Sequence, residues 1–282
     1  MASTSFTAKR INATTFVIIE DDSWGEQPHI YAVLHPTLPV LILSDTGCDS
    51  PREKATPFLT NLIPVEPVTR LREFCETVPV GEYSGRPLNP GPDRREYLII
   101  CTHCHYDHVG GIEQFSSPGR STRPAKSTIV ASAHGRAFIE DNLPEHSLCK
   151  YVGMPTPRYM VSHWAADFER LVYPSARLQM DMEASQVLST SASDLGITII
   201  STPGHTPDEL AWYDHNQRHL YVGDSFYEEG KDGSAIIFPK EGDWLDYMAS
   251  LDKLLRFVQK ENAAVSEGPD GWLEIFLSLI HI

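Results

Sequence analysis

Thr102-His103-Cys104-His105-Tyr106-Asp107-His108-Val109-Gly110-Gly111 sets three histidines and an aspartate within six consecutive positions. The preceding Tyr97-Leu98-Ile99-Ile100-Cys101 is a continuous apolar run too short for a helix, so it reads as a buried strand. The polar cluster therefore stands at a strand's end, in a loop closed by a glycine pair. Neutral imidazoles joined by a carboxylate are what zinc or iron takes as ligands. Such density in a chain with 12 histidines marks a metal site. Cys104 falls between two candidate ligands, and its side chain is expected to alternate away from them and pack.

Working outward, the N-terminal part offers strands at Thr14–Ile19, His29–Leu34 and Val40–Ser44, the last ending at Asp45-Thr46-Gly47. Val68, Leu71, Phe74 and Cys75 recur at helical spacing between Pro67 and Val78, with Pro79 as a stop. Beyond the cluster, Ser127–Ser132 reads as a strand and Gly135–Asp141 as a short helix. From Asn142 to Met182 the pattern is irregular, with four prolines, and its aromatics favour a lid over the site. A strand at Gly196–Ser201 runs into Thr202-Pro203-Gly204-His205-Thr206-Pro207. A hairpin follows, with arms at Leu210–Tyr213 and His219–Val222, and it ends at Gly223-Asp224-Ser225. Asp243 caps an amphipathic helix whose stripe of Trp244, Met248, Leu251, Leu254, Leu255 and Val258 is expected to be core. Trp272–Ile282 reads as a last strand.

Composition narrows the function. At 282 residues and 41% hydrophobic, the chain can bury a large core. A net charge of −15 opposes a nucleic-acid partner, because phosphate binding needs a basic face. No apolar run resembles a signal peptide or is long enough to span a membrane. The five scattered cysteines fit a reducing cytosol, so a cytoplasmic protein with a small-molecule substrate is expected. Among the remaining histidines, His134 is read as capping or packing and His163 as a surface residue. His215 and His219 flank the hairpin turn and are expected to be solvated, while His29 and His35 receive no role.

Three strand ends thus carry ligand chemistry, at His103–His108, at His205 and at Asp224. Taken with Asp45-Thr46-Gly47, the motifs Thr-His-x-His-x-Asp-His-x-Gly-Gly, Thr-Pro-Gly-His-Thr-Pro and Gly-Asp-Ser resemble the metallo-β-lactamase superfamily over residues 15–230. The resemblance implies an α/β fold, a four-layer αβ/βα sandwich of two mixed sheets with the metals at one edge. Residues 1–282 would then form a single domain, with a lid-like insertion near 142–182 and a C-terminus shortened relative to the family. It also implies two Zn2+ per chain. His103, His105 and His205 would hold the first, Asp107 and His108 the second, and Asp224 would bridge them. His281 stands nearest the place of the family's remaining second-site ligand, although the small residues that usually precede it are absent.

The activity implied is a metal-dependent hydrolase in which activated water attacks a carbonyl carbon. Asp107 would orient the nucleophile and pass a proton to the leaving group. Tyr227, three residues after Asp224, is placed like an active-site tyrosine of acyl-homoserine-lactone lactonases, where the phenol hydrogen-bonds to the oxygen that gains charge. Asp45 reads equally as a turn residue and as a brace for a ligand histidine. Opening of a lactone or lactam ring is the first expectation. Thioester hydrolysis, a mononuclear iron persulfide dioxygenase and a degenerate metal-binding member are the alternatives.

Overall fold

Strands apolar on both faces build the centre of the molecule. The computed structural model describes residues 4–52, 67–91, 94–116, 127–173, 192–227, 236–266 and 276–278. The first sheet has seven strands in sequence order: β1 (Phe6–Arg10), β2 (Thr15–Glu20), β3 (His29–Leu34), β4 (Val40–Ser44), β5 (Glu96–Ile100), β6 (Ser127–Ser132) and β7 (His163–Ala165). Pairing is antiparallel from β1 to β4 and parallel from β4 to β7. The second sheet runs β12 (Phe276–Ser278), β11 (His219–Tyr221), β10 (Leu210–Asp214), β9 (Ser193–Ser201) and β8 (Arg170–Tyr173). Only its β11–β12 pair is parallel. Both sheets are therefore mixed, as expected.

Side-chain alternation sorts the core into layers. Leu41 and Leu43 of β4, with Tyr97 and Ile99 of β5, face α1 (Leu71–Thr77), α2 (Tyr106–Val109), α3 (Glu113–Ser116) and α4 (Arg136–His146). Val40, Ile42, Leu98 and Ile100 point the other way, against Ile197, Ile199, Leu210 and Trp212 of the second sheet. There Trp212 stacks on Tyr221 with ring centroids 3.7 Å apart. The opposite face of the second sheet, with Ile200, Ala211, Tyr213 and Leu220, packs on Leu254 and Phe257 of α6 (Trp244–Ser266). Helix, sheet, sheet, helix is the four-layer sandwich.

Three details depart from the expectations. Within the segment read as a lid, whose residues 174–182 lie outside the described ones, α4 ends after a break at Asn142, while α5 (Cys149–Val152), β7 and β8 are regular, and the two strands join opposite sheets. The elements are short and proline-broken, so no period could emerge from the sequence. Trp244, Leu245, Met248 and Leu255 of α6 are exposed, and the core contact is carried by Tyr247, Leu254 and Phe257. Leu254, with Val258 partly buried beside it, is thus shared by the expected and the observed buried faces. His219 is buried beside Tyr221, not solvated, and burial lowers its pKa to about 4. No helix among the described residues is long and apolar enough to cross a membrane.

Candidate metal centre

The centre is built at the strand ends that the two sheets bring to one edge. β5 leads into Thr102 and His103, and α2 begins one residue after His105, which places Asp107 and His108 on its first turn. Gly110 and Gly111 let that turn press on the loop after β4. A side chain at Gly110 would lie 2.3 Å from the Cys48 carbonyl oxygen, and one at Gly111 would lie 2.5 Å from that of Thr46. In the same contact, Thr46 donates from its backbone N–H (2.7 Å) and its hydroxyl (2.9 Å) to the His108 carbonyl. His205 lies on the loop between β9 and β10, and Asp224 on a single turn after β11.

Six of the expected ligands converge and are buried, with exposures of 1–8%. His105 Nδ1 lies 2.9 Å from His103 Nε2 and 3.2 Å from His205 Nε2. His108 Nε2 lies 3.2 Å from Asp224 Oδ1 and 3.3 Å from Asp107 Oδ2, and Asp224 Oδ2 lies 3.4 Å from His205 Nε2. Two triads could each hold an ion, His103 with His105 and His205, and His103 with His108 and Asp224. Ligand atoms about 2.1 Å from a tetrahedral zinc stand roughly 3.4 Å from one another, so the observed spacings fit a cation. A second sign is that His108 Nε2 and Asp224 Oδ1 are buried without a hydrogen-bond partner, a state that coordination would relieve. His281 lies outside the described residues.

The surroundings fix which nitrogens face inward. His205 Nδ1 donates to the Ile237 carbonyl at 2.7 Å, leaving Nε2 as the free lone pair. Asp45 Oδ2 takes His108 Nδ1 at 3.0 Å and the Thr102 hydroxyl at 2.8 Å, while Oδ1 accepts the Thr102 N–H at 2.8 Å. Asp45, in the left-handed region at φ +64°, is therefore a brace for His108 rather than a plain turn residue. Burial, then the neighbouring imidazoles, push His103 well below the usual histidine range, and burial with His205 brings His105 down to about 3. Both are neutral, as ligands must be. Burial opposes charge on His108 too, but Asp107, Asp224 and Asp45 outweigh it and hold this imidazole well above its ordinary value.

Several neighbours carried no signal that sequence reading picked up. Glu209 is fully buried, and burial followed by the charge of Asp224 pushes its carboxyl well above the ordinary range. Asp22 accepts the backbone N–H groups of Trp24, Gly25, Glu26 and Gln27 and so knots the β2–β3 loop. That loop sets Trp24 edge-on to Tyr106 and Glu26 on the Tyr106 hydroxyl. The Asp-Asp-Ser-Trp-Gly run at 21–25 was the available sign of a turn. Tyr227 donates to Asp224 Oδ2 at 3.0 Å, so its phenol touches the site through a ligand. Cys104 packs in the core as expected, while His134 is exposed and His163 meets Glu169 at 2.6 Å.

Known proteins match this arrangement. The family model described as the metallo-beta-lactamase superfamily covers residues 97–261, more than half of the chain. The chain belongs to the metallo-beta-lactamase superfamily. It is 33% identical over 258 residues, 89% of its length, to a protein of Aspergillus versicolor provisionally named as the transcription factor avaE, of which it covers 64%. It is 27% identical over 173 residues to the acyl-coenzyme A thioesterase MBLAC2 of Homo sapiens, covering 59% of this chain and 53% of that one. The hydroxyacylglutathione hydrolase GloC of Haemophilus influenzae is 20% identical over 181 residues, 60% of this chain and 73% of its own. The chain thus spans 64% and 53% of the length of its Aspergillus and human relatives. Among solved structures, an archaeal superfamily protein of Sulfolobus tokodaii aligns with a TM-score of 0.52 at 15% identity, over 88% of this chain and 77% of its own. The DIM-1 metallo-beta-lactamase aligns at 0.52 with 11% identity, over 92% and 86%. Both likenesses concern the fold.

Proposed function

We propose that this superfamily hydrolase cleaves thioesters, with His103, His105 and His205 holding one zinc ion, His108, Asp107 and Asp224 a second, and Asp224 between them. The observation that carries the hydrolytic reading is the convergence of four buried imidazoles with Asp224 on a common centre, with Asp107 beside His108. Zinc bound there supplies Lewis acidity, which makes water nucleophilic near neutral pH and polarises a carbonyl. The chain's own groups do the rest. Asp45 and the Ile237 carbonyl orient His108 and His205. The carboxylate of Asp107 faces the centre from α2 and takes the proton of the attacking water, then yields it to the departing sulfur.

Thioesters come before lactones and lactams for two reasons. The names of the human and Haemophilus relatives describe thioester hydrolases. In addition, Trp24, whose ring meets Tyr106 inside the ligand motif, also lines a cavity of about 1230 Å³, with Gly110, Leu143, Met154 and Tyr159 among its other walls. That space adjoins the ligand motif at Gly110, touches none of the six ligands, and exceeds what a small ring requires. Leu143, Pro144 and residues 153–159 of the segment read as a lid do line it. Ring opening is the second reading, favoured by Tyr227 beside Asp224. The name of the Aspergillus relative raises nucleic-acid binding, to which a net charge of −15 lends no support. Zinc-loaded protein is expected to release free thiol from acyl-coenzyme A and acylglutathione esters, read with a thiol-reactive dye. Turnover of lactones with thioesters left intact would replace the first reading by the second, and inertness to both would defeat the hydrolase.

A further inference from the structure

Glu209 belongs to none of the ligand positions, yet it bonds to two of the turns that carry them and its neighbour Leu210 bonds to the third. Its backbone lies in the His205 turn, where its N–H donates to the Thr206 carbonyl at 3.4 Å and its carbonyl accepts the Thr202 N–H at 2.9 Å. The next residue, Leu210, donates at 2.8 Å to the carbonyl of Thr102, directly before His103. Its side chain reaches the third turn, where Oε1 accepts the Ser225 hydroxyl at 3.3 Å, adjacent to Asp224. Gly223, on the other side of Asp224, sits against the same oxygen. A side chain there would come within 2.9 Å of Glu209 Oε1 and 3.0 Å of Thr102 Cβ. Nothing of Glu209 is exposed, and Oε2 has no hydrogen-bond partner.

A carboxyl in such a place has no solvent and no countercharge in direct contact to account for it, and an apolar residue would fill the space without desolvating a polar group. What the carboxyl adds is an acceptor for Ser225 and a wall against which Gly223 packs. We propose that Glu209 is a positioning residue: it fixes the Asp224 turn against the two histidine turns and thereby sets metal affinity on the Asp224 side of the centre. This rests on the metal-binding part of the proposed function and on no substrate. The His103, His105 and His205 side depends less on it, because His205 is also held by the Ile237 carbonyl and His103 and His105 belong to one continuous turn.

The test is a titration of metal-free protein with Zn2+ in competition with a chromophoric chelator, which yields stoichiometry and the dissociation constant of each site. Glu209→Gln keeps the shape and the acceptor, so both constants are expected within about 3-fold of the parent, whereas Glu209→Met and Ser225→Ala should weaken the looser site by about 10- to 100-fold. The tighter site should move little in every variant. Ser225→Ala removes one hydroxyl only, so it carries the comparison if the methionine variant does not fold. Equal affinities in the glutamine and methionine variants, equal weakening at both sites, unchanged binding in Ser225→Ala, or a parent protein taking up a single zinc would each overturn the assignment. Because no turnover is measured, loss of the thioesterase reading would leave the result standing.

Discussion

At the residue scale, Asp107 and Tyr227 flank the same centre and do different work. Asp107, on the first turn of α2, sets Oδ2 3.3 Å from His108 Nε2. Replacing it with alanine should lower kcat by at least about 100-fold, as loss of a general acid–base group does. Circular dichroism should stay unchanged, and retained turnover would remove Asp107 from proton transfer. Burial and the neighbouring Asp224 keep the Tyr227 phenol protonated far above neutrality, so it is a standing donor. Tyr227→Phe should cost about 10- to 100-fold in kcat if the phenol serves the oxygen that gains charge. The structure gives its proton to Asp224 instead, and a variant that loses metal before rate would assign the phenol to holding that ligand. The ligand set itself was legible because histidine and aspartate at this spacing are dense. Glu209 and Asp22 were not, since acids outside a ligand motif, here in Asp208-Glu209 and Asp21-Asp22, read as solvated ones.

At the scale of elements, the ligand turns owe their shape to backbone positions that admit no side chain. Gly223 sits at φ +53° with Glu209 and Thr102 at its back. Gly223→Ala should destabilise the fold by about 1–3 kcal/mol through strain and collision, seen as a lower melting temperature and, because Asp224 is next door, as weaker metal uptake. Unchanged melting would mean that the turn can relax away. The strands were read to within a residue or two wherever they were continuous and apolar, as in β3, β4 and β5. The first strand, Phe6-Thr7-Ala8-Lys9-Arg10, escaped because only Phe6 is buried and an edge strand shows little hydrophobic pattern. Residues 163–173 escaped because strands of three and four residues cannot show a period. In α6 the expected stripe began one turn early, on Trp244 and Met248, which face solvent. Those residues share an apolar character with the true core positions, and spacing alone does not say which stripe meets the sheet.

At the scale of the whole molecule, burial of carboxyls makes stability depend on pH. Burial raises Glu20 to about 7 and Asp49 and Asp208 each to about 6. An acid whose folded pKa exceeds its unfolded one keeps its proton in the native state while the unfolded chain has lost it. The contribution of each is therefore fully present below about pH 4 and is lost as pH rises through the folded values, between roughly 4 and 7, whereas the buried His105 and His219, lowered to about 3 and about 4, act in the opposite sense below the ordinary histidine pKa of about 6.5. Glu20 alone contributes a loss of about 3 kcal/mol at most across that window. Urea unfolding of the metal-free parent and of Glu20→Gln at pH 5 and 8 isolates this carboxyl: the parent should lose about 2–3 kcal/mol relative to the variant between those pH values. Parallel profiles for parent and variant would contradict the burial of Glu20. The five thiols at positions 48, 75, 101, 104 and 149 are likewise sealed inside, and none is bridged. They occupy four stretches of the first two-thirds of the chain, Cys101 and Cys104 sharing one, so together they form a set of internal reporters. An alkylating reagent would find no sulfur on the intact molecule, and the pace of its capture would then time the opening of the core, residue by residue.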